Sequence, residues 1–126
     1  MKPHEEWMAK AAHDLEAAKR LIDNEEPLTD AAIYHTQQCA EKALKAFLAF
    51  HEHETEKTHD LKILLDICSK FDCAFDQLKI EASFINPFAT MFRYPGAEMC
   101  PDIDTVCEAI DAAEKIYDFV LARIEC

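Results

Sequence analysis

A single glycine in 126 residues excludes the glycine-rich loops that cradle phosphate in ordinary kinases and nucleotide hydrolases. Valine is almost as scarce, present only at 106 and 120, whereas alanine occurs 19 times. Sheets favour β-branched residues and turns, so this composition points to an all-α protein. No apolar run approaches the 18 residues that a membrane helix needs, and no membrane partner is expected. The opening Met1-Lys2-Pro3-His4-Glu5-Glu6-Trp7 lacks the apolar core of a secretory signal, which makes a cytoplasmic protein the expectation. Bases are in deficit too, 13 against 25 acids, giving a net charge of −12. That field repels phosphate at long range, so DNA is not expected as a partner and any nucleotide or RNA must enter a local pocket.

The chain's 14.4 kDa suit one domain over residues 1–126, with no repeat, low-complexity tract or linker. Charge is uneven: residues 98–126 hold 8 acids and 2 bases. The six cysteines, at 39, 68, 73, 100, 107 and 126, read as free thiols in a reducing compartment. His35 and Cys39 could share a helical face, yet no second pair stands at a ligand spacing, and His51 and His53 would diverge on a helix. Neither a metal nor another cofactor is expected.

The spacing of Trp7, Ala11, Leu15, Ala18, Leu21 and Ile22 predicts a helix over about 4–23, with Asp14 inside its apolar stripe. A carboxylate there requires a donor, a cation or a route to water. A second helix over about 30–51 carries Ile33, Ala40, Leu44, Phe47 and Leu48 inward, with Thr29 or Asp30 as N-cap. Beside that stripe, Tyr34, Gln38, Glu41 and Lys45 occupy a narrow arc. Glu41 precedes Lys45 by four residues, and the simplest reading of such a pair is a solvated face. A third helix beginning at His59, capped by Thr58, would carry Leu61, Leu64, Leu65 and Cys68. His59 would then lie at a helix N-terminus, where the dipole favours a neutral ring. A less regular helix over about 74–86 should stop at Asn86-Pro87. Phe88 to Gly96 reads as a loop or broken helix joining aromatics to a lone Arg93, and Asp102 can cap a final helix with Ile103, Val106, Ile110, Ala113, Tyr117, Val120 and Ile124 inward. Long amphipathic helices with short connections favour an antiparallel bundle of four to five helices.

Ala12-His13-Asp14-Leu15, the run Tyr34-His35-Thr36-Gln37-Gln38-Cys39-Ala40-Glu41-Lys42-Ala43-Leu44-Lys45-Ala46, then Thr58-His59-Asp60-Leu61 and Arg93-Tyr94-Pro95 resemble, in that order, the signatures of prokaryotic HEPN-domain proteins. The resemblance covers roughly residues 5–122. It implies an antiparallel helical bundle, usually a homodimer, that binds nucleotide or RNA. It further implies pairing with a minimal nucleotidyltransferase in toxin–antitoxin or stress modules. Many relatives are metal-independent endoribonucleases whose motif is an Arg followed, after four to six residues, by a His. Here Arg93 is followed at those distances by Glu98, Met99 and Cys100, Arg20 by Glu25, Glu26 and Pro27, and Arg123 lies too near the end. Cleavage through a 2′-hydroxyl needs groups that move protons near neutral pH, so a non-catalytic protein is the expectation.

The residues expected to line a binding groove are Asp14, Tyr34, Gln38, Glu41, Lys42, Lys45, His59, Arg93 and Tyr94. Arg93 and Lys45 would hold phosphate, Tyr34 or Tyr94 would stack on a base, and Asp14 would orient Arg93 or Lys42. Three alternatives stand beside this reading. Asp14, Arg93 and Tyr94 could instead form a buried network that fixes the loop. The protein could be a ribonuclease with a divergent site using His59 or His35 with Arg93. It could also be a pure interaction module, whose acidic surface suits a basic partner.

Overall fold

The computed structural model describes residues 1–96 and 99–124, and among them the regular structure is helical. The helices are α1 (Pro3–Ile22), α2 (Thr29–Phe50), α3 (Leu61–Phe71), α4 (Lys79–Ile85) and α5 (Ile103–Ile124). Short 3-10 turns, Cys73–Leu78 and Asn86–Ala89, flank α4. The expected all-α bundle is therefore what the chain forms. The expected irregular helix is divided into these three pieces. The α-helix does end at Asn86-Pro87, but Asn86 itself keeps helical geometry at φ −52° and ψ −46°, and the chain passes into a 3-10 turn with Pro87 in its first positions, where a missing N–H costs nothing.

α2 is the central element, packed on α1, α3 and α5, and its expected inward residues Ile33, Ala40, Leu44, Phe47 and Leu48 are all buried. Trp7 meets Lys45, Asp14 meets His35 and Lys42, and the Leu28 amide donates to the Leu21 carbonyl, so α1 and α2 run antiparallel. The connection after Phe50 then doubles back along α2. His59 lies beside Gln37 and Glu41, while Cys68 reaches the Leu44 carbonyl and Phe71 packs on Phe47, so α3 runs in the same sense as α2. The reversal begins with Glu52 in the left-handed region at φ 58°. There the Glu52 and His53 amides donate to the Ala49 and Leu48 carbonyls, closing the end of α2.

Two expected caps differ. α2 begins at Thr29 with Leu28 as its N-cap, without side-chain capping, and Asp30 accepts only from the adjacent Ala31 amide. α3 starts at Leu61, capped by Asp60, whose carboxylate accepts from the Lys62 amide, while Thr58 accepts from the Asp60 amide. Asn86 completes this turn by accepting from the Leu61 amide and donating to Asp60. Asp102 does cap α5, accepting from the Thr105 amide.

Cys39, Cys68, Cys73, Cys100 and Cys107 are free, and Cys126 lies outside the described residues. Burial pushes the Cys39 and Cys68 thiols up to about 12, which makes them packing groups and not nucleophiles near neutral pH. Among the described residues, no helix is long and apolar enough to cross a membrane.

Candidate functional site: a polar seam between the first two helices

α1 and α2 pack closely on each other, and Ala11, Leu15 and Ala18 of α1 are buried in one core with Ala32, Ile33, Cys39 and Ala40 of α2. Into this contact the sequence sets two carboxylates. Asp14 projects from the apolar stripe of α1, and its oxygens are divided between two residues of α2: His35 Nδ1 at 2.8 Å and Lys42 Nζ at 2.6 Å. His35 and Lys42 are two helical turns apart and so share a face, which lets one carboxylate meet both. Burial alone would raise the Asp14 carboxyl, but hydrogen bonds from His35 and Lys42 hold it below the ordinary range. An ionised carboxylate only accepts, so His35 Nδ1 carries the proton and donates, and among the described residues no hydrogen bond to Nε2 is found.

The second carboxylate is Glu41. It accepts from Lys45 Nζ at 3.0 Å and from His59 Nδ1 at 3.0 and 3.1 Å. Gln37 binds the same group, donating to Glu41 at 3.4 Å and to the His59 carbonyl at 3.0 Å, and Gln38 donates to Gln37 at 2.7 Å. The solvated face expected for the Glu41–Lys45 pair is overturned: the two side chains are 5% and 7% exposed. Trp7 lies 5.6 Å from the Lys45 ammonium and the His59 turn reaches Glu41, so α1 and the returning chain lie over a strip that a lone helix would leave wet.

Several expected roles change with this geometry. Lys45 does not offer a free cation for phosphate, because it is buried and bonded to Glu41. Asp14 orients Lys42 and His35, and its bonds do not reach Arg93. His59 precedes the N-cap of α3, so it lies outside the first turn of that helix, with its side chain 73% exposed. Arg93 and Tyr94 are both exposed, which removes the alternative of a buried Asp14–Arg93–Tyr94 network. Arg93 instead stacks its guanidinium 4.7 Å from the Tyr34 ring centroid, and Tyr34 stands edge-on to His35 at 5.5 Å. The stacked face of Tyr34 is thereby occupied, whereas Tyr94 is 67% exposed.

Asp14, with Lys42 bound to it, is thus linked to Tyr34 and Arg93 through His35, while Lys45 and His59 gather on Glu41 and Gln37 joins that group to Gln38. His35 and Gln37 were absent from the expected groove. The signal for His35 was its seven-residue spacing from Lys42 opposite an acid that needed donors.

A family model for the HEPN domain matches residues 4–124. The chain belongs to the HEPN domain family. Among solved structures, this HEPN chain is similar to ST0689, an archaeal HEPN homologue, with 27% identity, a TM-score of 0.75 and coverage of 98% of this chain and 99% of that one. It also shares the fold of TT1696 from Thermus thermophilus, with 24% identity, a TM-score of 0.76 and coverage of 97% and 98%. No curated protein matches the chain.

Proposed function

We propose that this HEPN protein is a non-catalytic binder of a nucleotide or RNA, with Arg93 as the anion contact at the end of the polar seam. One observation carries this reading. Lys42 and Lys45 are both committed to carboxylates, whereas the Arg93 guanidinium is exposed, oriented by Tyr34, and bonded to no carboxylate among the described residues. An arginine held by its aromatic neighbour and open at its edge presents donors in the planar array that suits a phosphate. Tyr94, next in sequence and largely exposed, supplies a surface on which a base can stack. The missing histidine after Arg93 supports binding without cleavage. The reading extends, on the strength of family membership, to a homodimer that works with a minimal nucleotidyltransferase partner in a toxin–antitoxin or stress module.

The test is titration of labelled nucleotides and short RNAs with the protein and with Arg93→Ala, both checked for folding, followed by inspection of the RNA. Binding that is lost in the variant, with RNA left intact, is the expected result. A folded Arg93→Ala protein that binds as well as its parent overturns the reading. Light scattering at micromolar concentration addresses the dimer, which fails if only monomer is found.

A second reading, a metal-independent ribonuclease with a divergent site, is favoured by His35. Its Nδ1 is held by Asp14 while Nε2 has no hydrogen bond among the described residues, the arrangement that orients an imidazole for proton transfer, and Tyr34 separates it from Arg93. Cleavage that disappears in His35→Ala would replace the non-catalytic reading with this one. Cleavage that survives removal of both His35 and His59 would sink it.

A further inference from the structure

On the side of the molecule formed by α4 and α5, apolar surface and unpaired charge occur together. Ile80, on the short α4, is 81% exposed, and with Phe84 and Ala112 it lines an open groove of about 450 Å³. Glu108 and Asp111 of α5 form its acidic rim, and the acidic strip continues along α5 to Asp118. All three carboxylates are exposed, and among the described residues none of them forms a salt bridge or a side-chain hydrogen bond. Lys115 is the cation on this face of the groove, and it is already bound to Glu81 Oε2 at 2.9 Å. The other oxygen, Glu81 Oε1, is buried without a hydrogen-bond partner. Burial alone would raise the Glu81 carboxyl, but the Lys115 hydrogen bond holds it below the ordinary range, so the unpartnered oxygen belongs to a carboxylate.

We propose that the α4–α5 groove docks a basic amphipathic segment of a partner protein, with apolar side chains against Ile80, Phe84 and Ala112 and Lys or Arg against the exposed carboxylates of Glu108 and Asp111. Charge complementarity selects this occupant. An isolated exposed Ile80 would need no explanation, but an apolar groove beside uncompensated carboxylates matches a helix with one apolar and one cationic face. A nucleic acid is disfavoured because its phosphates would meet Glu108 and Asp111. A second copy is disfavoured because a two-fold contact through this face would bring two copies of the acidic rim into one interface in a chain of net charge −12. A metal ion is not the occupant suggested, since among the described residues no three ligands converge. This proposal is independent of the α1–α2 seam, so either can fail alone.

The probe is a dye-labelled synthetic helical peptide of leucine and lysine, with leucines spaced three and four apart, titrated with the full chain and followed by fluorescence anisotropy. The control peptide carries glutamate in place of lysine. The chain is expected to bind the cationic peptide alone, more weakly as salt rises, and Ile80→Ser and the pair Glu108→Lys/Asp111→Lys should each weaken it by about tenfold or more. Reversing Glu25 and Glu26, exposed in the turn after α1, should change little. Circular dichroism confirms folding, and Asp111→Asn provides a milder variant that should show a smaller loss in the same direction. Absence of binding, unchanged binding by Ile80→Ser, or an equal loss on reversing Glu25 and Glu26 overturns the proposal. It is overturned as well if Ile80→Ser converts a sedimenting dimer to monomer, because the occupant is then a second copy.

Discussion

Two clusters in one helical seam contain the same three kinds of group, and they bury them differently. Asp14 draws both partners from the facing helix, and His35 and Lys42 remain 31% and 24% exposed. Glu41 draws Lys45 from its own helix and His59 from the returning chain; the histidine is exposed, but the lysine is as buried as the acid. Exposure of the partners decides what each cluster tolerates. If Asp14 is lost, Lys42 and His35 retain a path to water. If Glu41 is lost, the Lys45 ammonium is left buried without its carboxylate, and an uncompensated buried charge is among the costliest defects a fold can carry.

The largest expected effect is therefore at Glu41. Glu41→Ala should lower stability by about 3 kcal/mol in urea unfolding, and adding Lys45→Met should restore much of the loss by removing the stranded charge. A single-variant loss no greater than that of a surface residue would show that Lys45 finds water and that the clusters are alike. Next comes Asp14→Asn, which keeps the volume and weakens two charge-assisted bonds, with an expected loss of about 1–2 kcal/mol. An Asp14 variant more damaging than Glu41→Ala would invert the comparison.

The same cluster sets an acid limit. The folded Asp14 carboxyl lies below its ordinary value, so its contribution is complete above about pH 4 and is lost as pH falls through the lower folded value. Stability of the parent should thus fall more steeply below about pH 4 than that of Asp14→Asn, read from unfolding curves across that range. Parallel acid limbs would mean that Asp14 is not held down by its partners. The smallest effect is expected for Arg93→Ala, within about 0.5 kcal/mol in stability, since its side chain is exposed and stacks on one ring. A marked loss of stability there would make Arg93 part of the structural network and not a free anion contact.

Much of this architecture was legible in the spacing of apolar residues. The stripes of α1, α2 and α5 and the break at Asn86-Pro87 follow from local geometry, because a helix repeats every 3.6 residues whatever surrounds it, although Ile103, expected inward, is 42% exposed at the start of α5, and the fully buried Ile116 was not in the expected stripe. Asp14 could likewise be marked as a residue needing partners from its neighbours alone. Its partner His35 was harder to find, since that choice depends on how α1 and α2 are registered. The Glu41–Lys45 pair misled for a related reason: on an isolated helix it is a solvated ion pair, and nothing local announces that Trp7 and His59 will reach it. The cap of α3 shows the same limit, for Asn86 completes the turn from 25 residues away.

The sequence by itself determined that the chain is helical, where its helices begin and end to within a few residues, which faces are apolar, and that its order of motifs is that of the HEPN family. Tertiary structure alone decided which polar residues are buried and with whom they pair. Helix formation rests on short-range hydrogen bonds and side-chain spacing, whereas the state of a charged group depends on how far water is excluded around it. That exclusion arises here only when α1, α2 and the returning segment before α3 come together.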